Sequence, residues 1–310
     1  MARRKKATAR DAFGIATIAL AAQGQFMRMM VTFSALFMSV ALLQLSTGGV
    51  GPLDALTGLS AGFSAGEVGF LGSAHFFGFF IGCWWAPRLM GSIGHSRAFA
   101  SFTAMGAIGL AAHVLVTDPY FWAIFRIATG ICVAGAYTVI EAWLQAKVTN
   151  ETRGRAMGSY RIVDMSASFV AQFMIGALAD MPTYIAYNLL TILCCAAIFP
   201  LTLTKSEQPI TPAIMRLRPM LAWRASPLAV AGVLVAALSS AAFRMVGPIY
   251  GQEVGLAANQ IGYFLAAFVA GGAIAQYPVG WLADKYDRRW VLIGLSVAAI
   301  FACIITVASA

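Results

Sequence analysis

The chain has 310 residues, 60% of them hydrophobic and only 11% charged, with a mean hydropathy of +0.79. A soluble domain carries about a quarter of its residues as charges to keep its surface wet, so this composition excludes ordinary soluble enzymes. The net charge of +9 does not point to nucleic acid either. Lysines and arginines sit in the gaps between apolar runs of about 20 residues, the length that crosses a roughly 30 Å hydrocarbon core as a helix.

Along the chain, Arg3, Arg4, Lys5 and Lys6 precede the apolar stretch Phe13–Ala22 and imitate a signal peptide. The polar break at Gln23, Gly24, Gln25 and Arg28 favours instead a basic cytoplasmic segment, 1–27, leading into a short interfacial helix. Nine spans follow, predicted at 28–50, 66–90, 97–117, 120–146, 156–180, 183–204, 226–248, 259–283 and 289–310. Between spans six and seven, residues 205–225 bring together Pro209, Pro212 and Pro219 with Lys205, Arg216, Arg218 and Arg224. This stretch reads as a cytoplasmic linker between a six-helix bundle, 28–204, and three helices of a second bundle, 226–310.

Orientation follows from the basic residues. They fill the N-terminal segment and the gaps at 88–97, 147–155, 205–224 and 285–289, whereas the gaps at 51–65, 118–119, 181–182 and 249–258 contain none. The positive-inside rule then places the amino terminus and the 205–225 linker in the cytoplasm.

Cys83, Cys132, Cys194, Cys195 and Cys303 all lie inside apolar runs and read as small packing residues. His75, His95 and His113 share no metal-ligand spacing, so no metal site is expected. A phosphate-binding G-x-x-x-x-G-K-[ST] loop is missing from the sequence, so no nucleotide cofactor is expected.

Shifting the sequence by 193 residues lays span two on span eight, with Gly69 on Gly262, Ala74 on Ala267, Gly78 on Gly271, Ile81 on Ile274 and Leu89 on Leu282. Gly78/Gly82 and Gly271/Ala275 are small-xxx-small pairs that let helix backbones approach. After span eight, Gly280-Trp-Leu-Ala-Asp284-Lys285-Tyr286-Asp287-Arg288-Arg289 resembles the major facilitator signature G-x-x-x-D-[RK]-x-G-[RK]-[RK], with Asp287 in place of the second glycine. The first-half copy, Ala86 to Arg97, keeps Gly91, Gly94 and basic groups but lacks the acid. Arg126 followed by Gly130 resembles the family's second motif. Three stretches, Gly72–Gly78, Gly135–Leu144 and Thr149–Arg155, resemble the bacterial YcaD-like subgroup.

The resemblance implies an all-α membrane protein with the major facilitator fold. A member has twelve helices in two bundles with substrate between them, so this nine-span sequence is expected to be C-terminally incomplete. The implied activity is secondary transport of a small molecule by alternating access, coupled to protons, in the bacterial inner membrane, with lipid as partner, no nucleic acid and no enzymatic reaction. The alternative is a non-transporting sensor or assembly protein, or an inactive remnant, on the same scaffold. The resemblance also implies that Gly280, Asp284, Lys285, Arg288 and Arg289 form a cytoplasmic gate motif, with Asp284 facing the start of span five near Arg153–Arg155.

Ionisable groups inside spans are costly and therefore functional candidates. Arg126 reads as a proton-coupling or anion-attracting group, or as a side chain snorkelling to the nearby interface or fixed in a structural pair. His75, among Phe76, Phe77, Phe79 and Phe80, reads as a proton relay or as a buried neutral histidine with one hydrogen bond. Arg161 and Asp164 stand three apart on one face, as a local pair or as part of a substrate or proton pathway. Glu141 is about 22 Å along the helix from Arg126 and reads as a structural ion-pair partner for basic loops. Arg244, near the outer end of span seven, ranks below these.

Overall fold

In the computed structural model, residues 31, 33–150, 152–203, 209 and 219–309 are described. The basic segment 1–27 and most of the expected linker lie outside them. All regular structure among the described residues is helical: α1 (33–47), α2 (Val50–Ser60), α3 (Ala65–Ile93), α4 (His95–Ala112), α5 (Pro119–Lys147), α6 (Arg153–Ala179), α7 (Thr183–Ala196), α8 (Ile198–Leu203), α9 (Pro219–Ala225), α10 (Pro227–Glu253), α11 (Ala258–Lys285) and α12 (Arg288–Ser309). Eight helical segments are long and apolar enough to cross a membrane. Against the nine expected spans, α4 is the one left out: at 18 residues it is about 27 Å long and carries Ser96, Arg97, Ser101 and Thr103.

The first span differs most from its sequence expectation. It does not end at residue 50 but continues to Ser60, because α1 and α2 form one segment, Phe33–Ser60, broken only at Gly48–Gly49. Two glycines followed by Gly51 and Pro52 look like a loop. Proline is tolerated in the first turn of a helix, however, and Gly49 keeps a right-handed helical conformation (φ −95°, ψ −8°). The Gly48 N–H still donates to the Gln44 carbonyl at 2.8 Å, and the Leu53 N–H donates to the Gly49 carbonyl at 3.0 Å. The carbonyl that the break exposes on Gly48 accepts from the Gln172 side chain at 3.3 Å. In the same way, the expected linker ends in a short helix, α9, rather than running extended to 225.

Local chemistry explains where the other helices begin. Ser64 and Glu67 form a reciprocal capping box at the start of α3. Asp118 accepts from the Tyr120 and Phe121 N–H groups ahead of Pro119 at α5, and Ser226 caps α10 ahead of Pro227.

The 193-residue repeat is present in the helix boundaries: starts at 65 and 258, starts at 95 and 288, ends at 60 and 253. It extends to single hydrogen bonds. After α2, Gly62 (φ 93°) turns the chain while the Phe63 N–H donates to the Gly58 carbonyl at 2.9 Å; after α10, Gly255 (φ 80°) does so while Leu256 N–H donates to Gly251 at 2.8 Å. Only glycine adopts this left-handed turn without a Cβ penalty. Glu67 then accepts from the Ser64 N–H, and Gln260 accepts from the Ala257 N–H, both at 2.8 Å. One position departs: Gly94 caps α4 at φ 83°, whereas Asp287 precedes α12 and accepts from the Arg289 N–H at 2.9 Å. A side-chain cap there stands where the signature that this stretch resembles has a glycine.

The first half holds the core. Gly78 and Gly82 of α3 meet α5 so closely that a Cβ on Gly78 would lie 2.1 Å from the Ile127 carbonyl oxygen, and one on Gly130 would lie 2.0 Å from that of His75. Trp122, Trp143, Tyr160 and Tyr187 are fully buried among α4, α5, α6 and α7.

The second half touches the first through a small apolar cluster, Leu56, Ile175, Ile261 and Leu265, through Met245 of α10 against Gly51 and Gly72, and through Tyr263 against Phe173. There α6 and α11 run antiparallel, with Gly176 against Asn259 and Gly262 against the Gln172 carbonyl. Towards the opposite end, which carries Arg153, Arg155, Lys285, Arg288 and Arg289, the helices stay in touch at Gln276 Nε2 and Met165 Sδ (3.2 Å) and otherwise part. A cleft of about 690 Å³ opens between Gly158–Val170 and Val269–Tyr277. The two halves therefore close at the uncharged end and stand apart at the basic end.

Candidate functional site: a charged cluster beside a central cavity

Four elements of the first half converge on one buried carboxylate. Asp54 of α2, 2% exposed, accepts an ion pair from Arg126 of α5 (Nε to Oδ2, 3.3 Å), and Arg126 is itself 3% exposed. The hydroxyl of Tyr187 in α7 donates to the other oxygen, Oδ1. His113, in the turn after α4 and fully buried, points Nε2 at Asp54 Oδ2 from 3.7 Å. Its ring stacks on Tyr187 (centroids 4.9 Å apart, planes at 10°) and is flanked by Trp122 and Phe125. Removing one member of such a pair leaves an uncompensated charge and costs about 3–5 kcal/mol.

The His113 tautomer follows from its partners. Nδ1 lies 2.7 Å from the Gly109 carbonyl oxygen, which only accepts, so Nδ1 carries a proton. Nε2 then faces a carboxylate oxygen. At 3.7 Å the two atoms are too far apart for a direct hydrogen bond.

Arg126 also lines a cavity of about 290 Å³ between the halves, together with Thr47, Gly48, His75, Gln172, Ser240, Arg244 and the rings of Phe76, Phe79, Phe243 and Phe268. The break in the first span thus forms part of the cavity wall, as broken helices do where backbone lines a polar site. The Thr129 hydroxyl donates to the Arg126 carbonyl at 2.9 Å, so it accepts from His75 Nδ1 at 3.3 Å. His75 Nε2 is then the unprotonated nitrogen of a neutral ring.

A second polar group stands nearby. The Tyr137 hydroxyl lies between the side-chain amide of Gln44 and the carboxylate of Asp164, and Asp164 pairs with Arg161 at 3.3 Å, a side chain that is 58% exposed. Glu141, expected in an ion pair with basic loops, instead accepts from the Tyr160 hydroxyl at 3.0 Å. Among the described residues it forms no ion pair.

Of the gate motif, Asp284 is exposed at the end of α11, and no hydrogen bond or ion pair joins it to Arg153 or Arg155 among the described residues. Lys285 Nζ sits 4.8 Å over the Trp281 ring. Gly280 has no atom within 4 Å of where a Cβ would stand.

Arg126, His75, Arg161 and Asp164 were therefore singled out by sequence. Asp54, His113, Tyr187, Tyr137 and Gln172 were not. Asp54 fell in the stretch read as a loop, although Val50, Leu53, Ala55 and Leu56 around it follow a helical apolar pattern that signals its burial. Nothing local marks His113 as facing it.

A family model, the Major Facilitator Superfamily, matches residues 228–310. An uncharacterised MFS-type transporter, YcaD, from Escherichia fergusonii is 26% identical over 229 residues, which cover 73% of this chain and 59% of that protein. YcaD from Salmonella heidelberg is 27% identical over 228 residues with the same coverage. The chain thus spans 59% of the length of these curated relatives. Among solved structures, a D-xylose-proton symporter superimposes with a TM-score of 0.61 at 11% identity, covering 83% of this chain and 69% of the other. The nucleoside transporter NupG does so with a TM-score of 0.57 at 15% identity, covering 83% and 68%. At these identities the likeness is one of fold. In residues 228–310 the chain matches the Major Facilitator Superfamily model, and over 73% of its length it is similar to the YcaD-like bacterial proteins.

Proposed function

We propose that this protein is a secondary transporter that moves a small molecule by alternating access, coupled to protons, in a bacterial inner membrane with its basic loops in the cytoplasm. The observation that carries this reading is the buried Asp54–Arg126–His113 cluster, placed at the edge of a cavity between two halves that close at one end only.

The cluster supplies a proton site and a means of coupling. With a proton on Asp54 Oδ2 the carboxylate no longer neutralises Arg126, and the guanidinium is released to a ligand in the cavity. When the proton leaves, Asp54 reclaims Arg126 and ligand binding weakens. Tyr187 and the Gly109 carbonyl hold Asp54 and His113 in register throughout. Coulombic coupling of this kind is strong because the groups are shielded from water.

With the basic end cytoplasmic, the cleft between α6 and α11 opens inward. Closing it brings Asp284 towards the start of α6, where free N–H groups and the helix dipole favour a negative charge. The pseudo-symmetry of the repeat supports this partner for the gate motif.

The test is solute-evoked proton movement in proteoliposomes carrying an internal pH dye, using a panel of small anionic, neutral and cationic solutes. At least one solute should acidify or alkalinise the lumen, and Asp54→Asn should abolish that response. Solute uptake with no pH response in the unsubstituted protein would refute proton coupling. Retention of the response in Asp54→Asn would remove the cluster from the mechanism.

A further inference from the structure

We propose that the central cavity binds a compact organic monoanion, whose carboxylate is held by Arg244 and whose apolar body lies among the cavity phenylalanines. This rests on the transport reading only in that the same cavity is used.

The inference comes from balancing the charges around the cavity. Arg126 is neutralised by Asp54 at 3.3 Å, and Arg161 by Asp164 at 3.3 Å. Arg244 of α10 also lines the cavity and is half-buried, yet it has no carboxylate at ion-pair distance and no hydrogen bond among the described residues. Asp164 and Tyr137 are within its electrostatic reach, but Asp164 already serves Arg161 and the Tyr137 hydroxyl. With Asp54 ionised the site thus holds one positive charge in excess, and protonation of Asp54 adds a second by releasing Arg126. An uncompensated guanidinium inside a membrane span is costly, and a bound carboxylate removes that cost with a bidentate, charge-assisted pair.

The repeat shows that Arg244 is not a structural requirement of the turn it occupies. Its counterpart 193 residues earlier is Gly51, at the equivalent point of the first span. The two lie on facing helices across the cavity, α2 and α10.

Size and lining narrow the ligand. A volume of about 290 Å³ lies at the small end of ligand pockets. Phe243 and Phe268 stack at 4.1 Å with planes 17° apart, presenting a flat apolar wall. Sugars need many hydrogen-bonding partners, whereas besides Arg126 and Arg244 this wall offers only Thr47, His75, Gln172 and Ser240. Amines meet net positive charge.

Equilibrium binding to the protein in lipid nanodiscs, with equal pH on both sides, tests this independently of transport. Labelled benzoate is the probe, with phenylacetate, benzamide and benzylamine as competitors. We expect saturable benzoate binding, displacement by phenylacetate, at least tenfold weaker displacement by benzamide, and none by benzylamine. Losing a hydrogen-bonded charge partner costs on the order of tenfold or more in affinity, so Arg244→Gln should erase the preference for benzoate over benzamide while Arg244→Lys retains part of it. Equal binding of benzamide, competition by benzylamine, no saturable binding of benzoate or phenylacetate, or an unchanged preference in Arg244→Gln would each overturn the proposal. Intact binding with no proton-coupled flux would count against the transport reading alone.

Discussion

The two copies of the repeat carry the same small-residue motif in different surroundings. In α3, Gly78 is packed so tightly that its missing Cβ is replaced by the carbonyl of Ile127. In α11, the equivalent Gly271 has no atom within 4 Å of that position. The contrast extends to whole helices: 56% of the most apolar stretch of the first span is buried, and none of the corresponding stretch of α10 or α12. Equivalent local signals therefore yield matching helix starts and turns, but burial depends on which neighbours each helix meets. The first half is a packed bundle that owns its charge pairs. The second contributes a cavity wall and a few contacts, among them the Leu56–Ile175–Ile261–Leu265 cluster and Met245 against Gly51 and Gly72.

Substitutions can break or sharpen that comparison. The largest effect is expected at the buried carboxylate. Asp54→Ala should destabilise the first bundle by about 3–5 kcal/mol, read as a lowered midpoint in reversible denaturant unfolding in detergent. An unchanged midpoint would mean that Arg126 finds another partner. Next, Gly78→Ala forces a Cβ to within 2.1 Å of a backbone carbonyl, and separating α3 from α5 should cost about 3 kcal/mol. The same change at Gly271 should fall within about 0.5 kcal/mol by the same assay. Equal losses at the two glycines would show that the halves are packed alike in solution.

Smaller effects separate the two ion pairs and the gate. Arg161 is largely exposed, so Arg161→Gln should cost no more than about 1 kcal/mol, several-fold less than Asp54→Ala. Asp284→Asn should leave stability unchanged and raise the labelling rate of a cysteine introduced at Gly158, in the cleft at the basic end. A labelling rate equal to that of the unsubstituted protein would argue against Asp284 as a gate.

Much of the architecture was legible in the sequence. The apolar runs marked most spans, and the 193-residue offset matches two helix starts and one helix end to the residue. The misread element was the first span. Gly48, Gly49, Gly51 and Pro52 suggest a loop by composition, and a helix crosses them because Gln172, 124 residues away, satisfies the carbonyl that the break exposes. For the same reason Asp54 was hidden, and with it the partner that explains Arg126.

Taken alone, the sequence determined the medium, the helices and their repeat, because hydropathy, period and turn chemistry are local properties. It also identified Arg126 and His75 as costly residues to place in lipid. Only the tertiary structure decided which charges are neutralised, since ion pairing depends on distances across helices far apart in sequence. Asp54 meets Arg126 and His113 because α2, α5 and the turn after α4 converge, whereas Arg244 faces the cavity with no ion-pair partner among the described residues. That difference, invisible in the order of residues, separates the proposed proton site from the proposed anion site.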